Sequence, residues 1–400
     1  MKCNVTSILL MGILFFSCSV SNEKSMNEIV DDALALAEKQ SLVMALKYAD
    51  KGNTYPRTYN KGQDVTSGSD WWCSGFFPGV LWYLYENSNN PDLLKYAKRY
   101  TEGIEKEKDS KGTHDLGFML YCSFGNGYRL MKDESYKNIM LTGAASLSTR
   151  FNPSIGLIRS WDFGEWQYPV IIDNMMNLEF LFWAAKVSGN SFYKELSVSH
   201  ANKTIENHYR SDYSCFHVVS YDTISGIPEK KQNYQGFSDE SAWSRGQAWG
   251  LYGYVVMYRE TKDKRYLDHA VRIADFTLNH PNMPDDFIPY WDYNAPGIPG
   301  EPRDASAGAI TASALIELSG YVDKELSDKY LKIAETQLRT LASPEYTAPI
   351  GENGGFILMH SVGSKAHNSE VDVPLTYADY YYIEALTRYK KLNRSSLNRM

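Results

Sequence analysis

The chain has 400 residues, 43% of them hydrophobic and 22% charged, with a formal net charge of -7 and a sequence pI near 5.7. This composition excludes a disordered or fibrous chain and supplies enough apolar side chains for a large core. It also speaks against a nucleic-acid partner, since no cluster of Lys and Arg is available to match a phosphate backbone.

At the start of the chain, Lys2 precedes an apolar run over residues 8–16 that ends at Ser17-Cys18 and passes into polar sequence. The run is too short for a permanent membrane span and reads as the core of a secretory signal. A Cys directly after a small residue resembles the bacterial lipoprotein pattern, although Phe15 and Phe16 stand where small residues or Leu are usual. Residues 1–17 are therefore expected to be removed and Cys18 to carry lipid. This predicts an exported protein of the periplasm or outer membrane, held to the membrane only by that anchor. Cys3 leaves with the signal. Cys73, Cys122 and Cys215 are too widely spaced for a disulfide framework or a zinc site and are expected to be buried thiols.

From residue 26 onward the hydrophobic period is helical. A helix is expected over residues 26–49. Five weakly charged, largely apolar segments follow, at residues 76–85, 116–130, 175–187, 248–258 and 305–318. Each is followed by an amphipathic, charged helix, opening near Asp92, Glu134, Ser191, Lys264 and Ser327. A helix that is apolar nearly all round is buried, so the first kind predicts an inner ring and the second an outer one. A last helix over residues 377–391 pairs with the first. The predicted fold is all-α, an (α/α)6 barrel of six helical hairpins spanning residues 26–394 as one domain. Long connections at residues 211–241 and 282–303 exceed what helix-to-helix turns need, and residues 214–221 read as a short strand.

No metal-binding motif, phosphate loop or nucleophile elbow occurs, and no cofactor is expected. Carboxylates remain. Asp115 and Asp173 each stand at the start of an inner helix, and the starts of inner helices gather at one end of such a barrel. Either Asp alone is adequately explained as a helix cap. Two in apolar settings also fit a proton donor, because burial and a neighbouring carboxylate both raise a carboxyl pKa. Arg245, at the start of another inner helix, either clamps a substrate carboxylate or pairs with a structural Asp. Trp249 lies one turn further along the same face. Trp249 and Trp72 are either sugar platforms or core.

The motifs Trp72-Cys-Ser-Gly-Phe-Phe-Pro-Gly79, His114-Asp-Leu-Gly-Phe118, Asp173-Asn-Met-Met-Asn-Leu178, Trp243-Ser-Arg-Gly-Gln-Ala-Trp-Gly250 and Tyr377-Ala-Asp-Tyr-Tyr381, in this order, resemble unsaturated glucuronyl hydrolases of glycoside hydrolase family 88. The resemblance runs from about residue 72 to 386. It implies the same barrel and a hydration route in which an acid protonates a vinyl ether. By motif position Asp173 is implied as that acid and base, and Asp115 as the second carboxylate, tuning Asp173 and holding substrate hydroxyls. His217, Gln235 and Arg245 are implied contacts of the unsaturated sugar; Trp72, Trp161 and Trp249 its aromatic walls, and Tyr377 its far side. His217 and Gln235 rest on spacing to Arg245. Ser361, Ser364 and Lys365 lie near a place where family members recognise sulfate, though Lys365 follows Ser364 directly instead of one residue later. The segment is either a sulfate site or a solvated loop.

The function expected is release of the 4,5-unsaturated uronic acid from lyase-generated glycosaminoglycan oligosaccharides. Two alternatives stand beside it. One is an unsaturated rhamnogalacturonyl hydrolase acting on pectin fragments. The other is a lipid-anchored oligosaccharide-binding protein without turnover, which has little need of a buried acid.

Overall fold

A computed structural model describes residues 24–397, so the signal segment and the proposed lipid site at Cys18 lie outside the described residues. Twelve α-helices follow one another: α1 (Met26–Lys47), α2 (Phe76–Ser88), α3 (Pro91–Glu102), α4 (Asn126–Met131), α5 (Glu134–Ser148), α6 (Leu178–Ser188), α7 (Phe192–His208), α8 (Ser244–Thr261), α9 (Lys264–Leu278), α10 (Ala305–Leu318), α11 (Lys324–Leu341) and α12 (Thr376–Leu397).

The hairpins α2–α3, α4–α5, α6–α7 and α8–α9 turn by one device. The first helix ends on a left-handed residue, Asn89, Lys132, Gly189 or Lys262 (φ 57, 56, 73 and 59°), whose N–H closes the last turn. An Asn or Asp follows at once and accepts the backbone N–H two residues on: Asn90, Asp133, Asn190 and Asp263 accept from Asp92, Ser135, Phe192 and Arg265, and all but Asn190 are the N-caps of the next helix. The left-handed residue stops one helix and the side-chain cap starts the next, so the chain reverses within about two residues.

Burial separates the two rings. Every residue of α10 except Glu317 is buried, whereas α9 buries only Tyr266, His269, Ala270, Ile273, Ala274, Thr277 and Leu278, a single stripe. The inner ring runs α2, α4, α6, α8, α10 and α12, with the segment leading into α4 making the contact to α6 and α12 returning to α2, while α1, α3, α5, α7, α9 and α11 pack outside. This is the (α/α)6 barrel expected from the sequence, with α1 and α12 completing the sixth pair.

Two inner helices begin irregularly. A π-helix, Gly117–Gly125, runs into α4, and a 3-10 helix, Ile172–Asn177, runs into α6. The single helix expected over residues 116–130 is thus a widened turn followed by a short α-helix. At Gly117 the chains touch: a Cβ there would lie 2.4 Å from Asn177 Oδ1.

Strands occupy the connections that lead into inner helices. Antiparallel pairs are β1 (Tyr55–Asn60) with β2 (Gln63–Ser67), β3 (Phe151–Asn152) with β4 (Leu157–Ile158), and β8 (Ser361–Ser364) with β9 (Ser369–Val373). A three-stranded sheet has the order β5 (Pro169–Ile171), β6 (Val218–Tyr221), β7 (Pro228–Gln232). The strand expected over residues 214–221 starts only at Val218. These loops all lie at the end of the barrel where the inner helices start. The hairpin turns take the other end, and no helix among the described residues is long and apolar enough to cross a membrane.

Candidate active site

The inner-helix openings surround a cavity of about 650 Å³ lined by Trp72, Asp115, Trp161, Asp173, Gln235, Arg245, Ser364 and Tyr377, among others. A larger groove of about 970 Å³ lies between α7, α9 and α11, walled by exposed charged side chains such as Lys264 and Asp268. The smaller cavity holds the convergent buried polar groups, which is what positions a ligand. The partial positive charge at the start of each inner helix also faces this end and favours an anion there.

Asp173 lies in the first turn of the 3-10 helix and is 8% exposed. It caps nothing: the residue before that helix is Ile171, and no side chain closes its first turn. Burial drives the Asp173 pKa up from 3.8 to about 7, with Arg245 opposing and Asp115 reinforcing the shift. The carboxyl therefore holds its proton near neutrality. Asp115 precedes the π-helix and likewise supplies no cap to it. Its Oδ2 accepts the Thr113 hydroxyl at 2.7 Å, and its Oδ1 lies 3.3 Å from His114 Nε2. The two carboxylates expected from the sequence do line one cavity.

His217 stands just before β6. Its carbonyl accepts the Ile172 N–H at 2.9 Å, which locks it beside Asp173. Burial and the Arg245 charge push its pKa well down, so the ring is neutral. Nδ1 accepts the Gln235 N–H at 3.2 Å, which leaves the proton on Nε2, 3.7 Å from Asp173 Oδ2. The spacing argument for His217 and Gln235 thus ends in a direct contact between them.

Arg245 pairs with a structural Asp, the second of the two readings made of it. Nη1 lies 3.4 Å from Asp304 Oδ2 and donates to the Val362 carbonyl, while Nη2 donates to Gly363 O at 2.6 Å and Gln235 Oε1 at 3.2 Å. The guanidinium sits 5.1 Å from the centre of the Tyr377 ring. Tyr377 packs against Trp72 at 4.9 Å, and Trp161 packs edge-on against His217 at 5.6 Å. Trp249 is fully buried, 5.2 Å from Phe118, so it is a floor beneath the site and not a wall of it.

Four buried polar atoms at this place have no hydrogen-bond partner: Asp173 Oδ2, His217 Nε2, Arg245 Nε and Tyr377 OH. Each such atom costs the fold about 1–3 kcal/mol, a cost that a polar ligand would offset.

The segment expected to meet sulfate divides. Ser364 lines the cavity, with its hydroxyl 2.7 Å from His367 Nδ1. Ser361 is buried in β8, paired opposite Val373. Lys365 turns away, bonded to Glu301 and 5.4 Å above the Trp291 ring. Sequence reasoning missed Asp304, which both caps α10 and faces Arg245. It also assigned no role to His114, or to the exposed Phe163 that stacks on Trp161 at 5.1 Å. Asp304 was findable as an Asp two residues before Ser306; nothing local marks Phe163.

The thiols of Cys73, Cys122 and Cys215 are free and buried. Among the described residues no group of three His, Cys, Asp or Glu side chains is arranged to hold a metal ion.

No family profile matches the chain. It is 41% identical over 393 residues to an unsaturated glucuronyl hydrolase of Formosa agariphila, covering 96% of this chain and 98% of the relative. It is 32% identical over 369 residues to an unsaturated chondroitin disaccharide hydrolase of Streptococcus agalactiae, covering 90% and 92%. Among solved structures, an unsaturated glucuronyl hydrolase specific for heparin superimposes with a TM-score of 0.87 at 49% identity, covering 91% of this chain and 98% of that one. The Bacillus sp. GL1 unsaturated glucuronyl hydrolase does so at 0.83 and 28% identity, covering 90% and 97%.

Proposed function

The chain belongs to the unsaturated glucuronyl hydrolases of glycoside hydrolase family 88, and from that premise we propose that it removes the 4,5-unsaturated uronic acid from the non-reducing end of glycosaminoglycan oligosaccharides. The observation that carries this reading is the buried Asp173, with a pKa near 7, in a cavity edged by unpartnered donors.

Asp173 in its acid form gives its proton to C4, and the C4=C5 pair becomes the new C4–H bond. Positive charge then spreads over C5 and the ring oxygen. Water attacks C5 and returns a proton to the Asp173 carboxylate, so the acid is regenerated as the C5–OH forms. The resulting hemiketal opens, and the neighbouring sugar leaves with its hydroxyl. Arg245 and the Nε2–H of His217, both buried near Asp173, supply positive charge and a donor suited to the uronate carboxylate. Asp115 takes substrate hydroxyls. Because the reaction starts on a double bond, the separation of the two carboxylates does not foretell stereochemistry as it does in ordinary glycosidases.

The 49% identity to the heparin-specific structure favours heparin-type disaccharides over chondroitin-type ones. Loss of the conjugated double bond, followed by absorbance on unsaturated disaccharides from heparin, chondroitin, hyaluronan and pectin, tests this. Turnover of the pectin fragment alone would move the chain to the rhamnogalacturonyl reading, and inertness on all four would favour binding without catalysis.

We also propose export with a lipid on Cys18, supported by Lys2, the apolar run over residues 8–16 and the Ser17-Cys18 junction. Labelling with a radioactive fatty acid should mark the wild-type chain and not Cys18→Ser; equal labelling would reject the anchor.

A further inference from the structure

Behind the two carboxylates runs a chain of side-chain amides whose direction can be deduced, because each end meets a group of one polarity. The backbone N–H of Gly117 can only donate, and it reaches Asn177 Oδ1 at 2.9 Å. That orientation turns Asn177 Nδ2 to donate to Asn174 Oδ1 at 3.0 Å. The Ile158 carbonyl can only accept, so the group facing it at 2.9 Å is Asn174 Nδ2, whose second hydrogen goes to Ser160 Oγ at 2.8 Å. Both ends agree that Asn174 Oδ1 is an acceptor. His114 Nδ1 lies 2.8 Å from it and must therefore carry a proton. Burial lowers the His114 pKa, with Asp115 opposing, so the ring is neutral and its Nε2 is a bare lone pair.

That lone pair is 3.3 Å from Asp115 Oδ1, in a side chain that is 2% exposed. Asp115, with a side chain 19% exposed, opens on the cavity, and two acceptors so close repel until a donor hydrogen is placed between them. His217 is set the opposite way, with Nδ1 accepting and Nε2–H facing Asp173. The cavity thus has a donor side and an acceptor side.

We propose that His114 is a positioning residue whose proton is pinned on Nδ1 by the Asn177–Asn174 relay, so that its bare Nε2 and Asp115 Oδ1 stand together as one paired acceptor for substrate hydroxyls. The inference rests on Asp115 belonging to the active site. Near neutrality the pair is open to substrate hydroxyls. On acidification a proton on His114 Nε2 closes it, so the acid limb appears in KM before kcat. The charged or titratable groups acting on His114 are Asp115 beside it, Arg150 after α5, His200 on α7 and His217 before β6.

Nitrogen NMR of the full chain with 15N-labelled histidine tests the pinning without reference to turnover. The eight imidazoles are few enough to resolve, and His114→Gln identifies the signal by its loss. Nδ1 should stay protonated between pH 9 and pH 5 while Nε2 changes from bare to protonated on acidification. Asp115→Asn should move that change by about one pH unit or more toward acid. Asn174→Ala should release the ring to the other tautomer. A wild-type His114 with its proton on Nε2 and a bare Nδ1 at neutral pH would overturn the proposal, as would an Nε2 titration unmoved by Asp115→Asn. If the proposed function is what fails, the sign is different: Asp173→Asn would turn over unsaturated disaccharides normally, whatever the tautomer.

Discussion

Asp173→Asn separates what the acid does for catalysis from what it costs the fold. The amide has nearly the same shape, cannot ionise and cannot deliver a proton. In the wild type the pKa rises from 3.8 in the unfolded chain to about 7 in the fold. Between those values the folded state holds a proton that the unfolded state has lost, so stability falls as pH rises through this window. Above about pH 7 both states are ionised and the full cost, on the order of 4 kcal/mol, is present. Asp379, buried and also raised to about 7, gives a similar slope, but it is common to both proteins and cancels in the difference. Thermal or urea melts of wild type and Asp173→Asn at pH 5 and pH 8 should therefore diverge. The variant should gain about 3 kcal/mol relative to wild type between these two conditions. Absorbance of the conjugated substrate should show its activity lost by about a thousandfold or more. Equal pH dependence of the two melts would mean that the carboxyl is not holding a proton, and wild-type turnover by the variant would remove Asp173 from the mechanism altogether.

Because the acid form is the reactive one, kcat should fall tenfold per unit above about pH 7; a kcat profile still flat at pH 9 would contradict the role of Asp173. Arg245→Lys leaves the Val362 and Gly363 carbonyls and Gln235 short of a forked donor. A loss of about 2–3 kcal/mol is expected, read as a roughly hundredfold fall in kcat/KM together with a lower melting temperature. Phe163 is 60% exposed, so Phe163→Ala should change stability by less than about 0.5 kcal/mol while raising KM several-fold if the ring carries the leaving sugar. Lys365→Ala should alter the rates on sulfated and unsulfated disaccharides equally, since Glu301 already holds the ammonium. A loss confined to the sulfated substrate would restore the sulfate site.

The barrel was legible because helical period and turn chemistry are local. The bounds of α10 follow from its apolar run alone, and the Asn or Asp at each of the first four hairpin turns is visible as a residue type before any coordinate. That Asp115 and Asp173 meet was legible only by way of the barrel, since ring closure brings inner-helix openings to one end. The π-helix at Gly117–Gly125 was not legible, because its residues are as apolar as those of a regular inner helix.

Side-chain direction was the other thing hidden from the sequence. Arg245 is held by carbonyls 117 and 118 residues away, Lys365 by a carboxylate 64 residues earlier, and the His114 proton by an amide 60 residues later. The sequence by itself determined the alternation of apolar and amphipathic helices, and hence the ring, because each helix's burial pattern is written in its own residues. Only the tertiary structure decided which polar atoms find partners and which are left facing the cavity, because a hydrogen bond depends on two groups whose separation the folded chain alone sets.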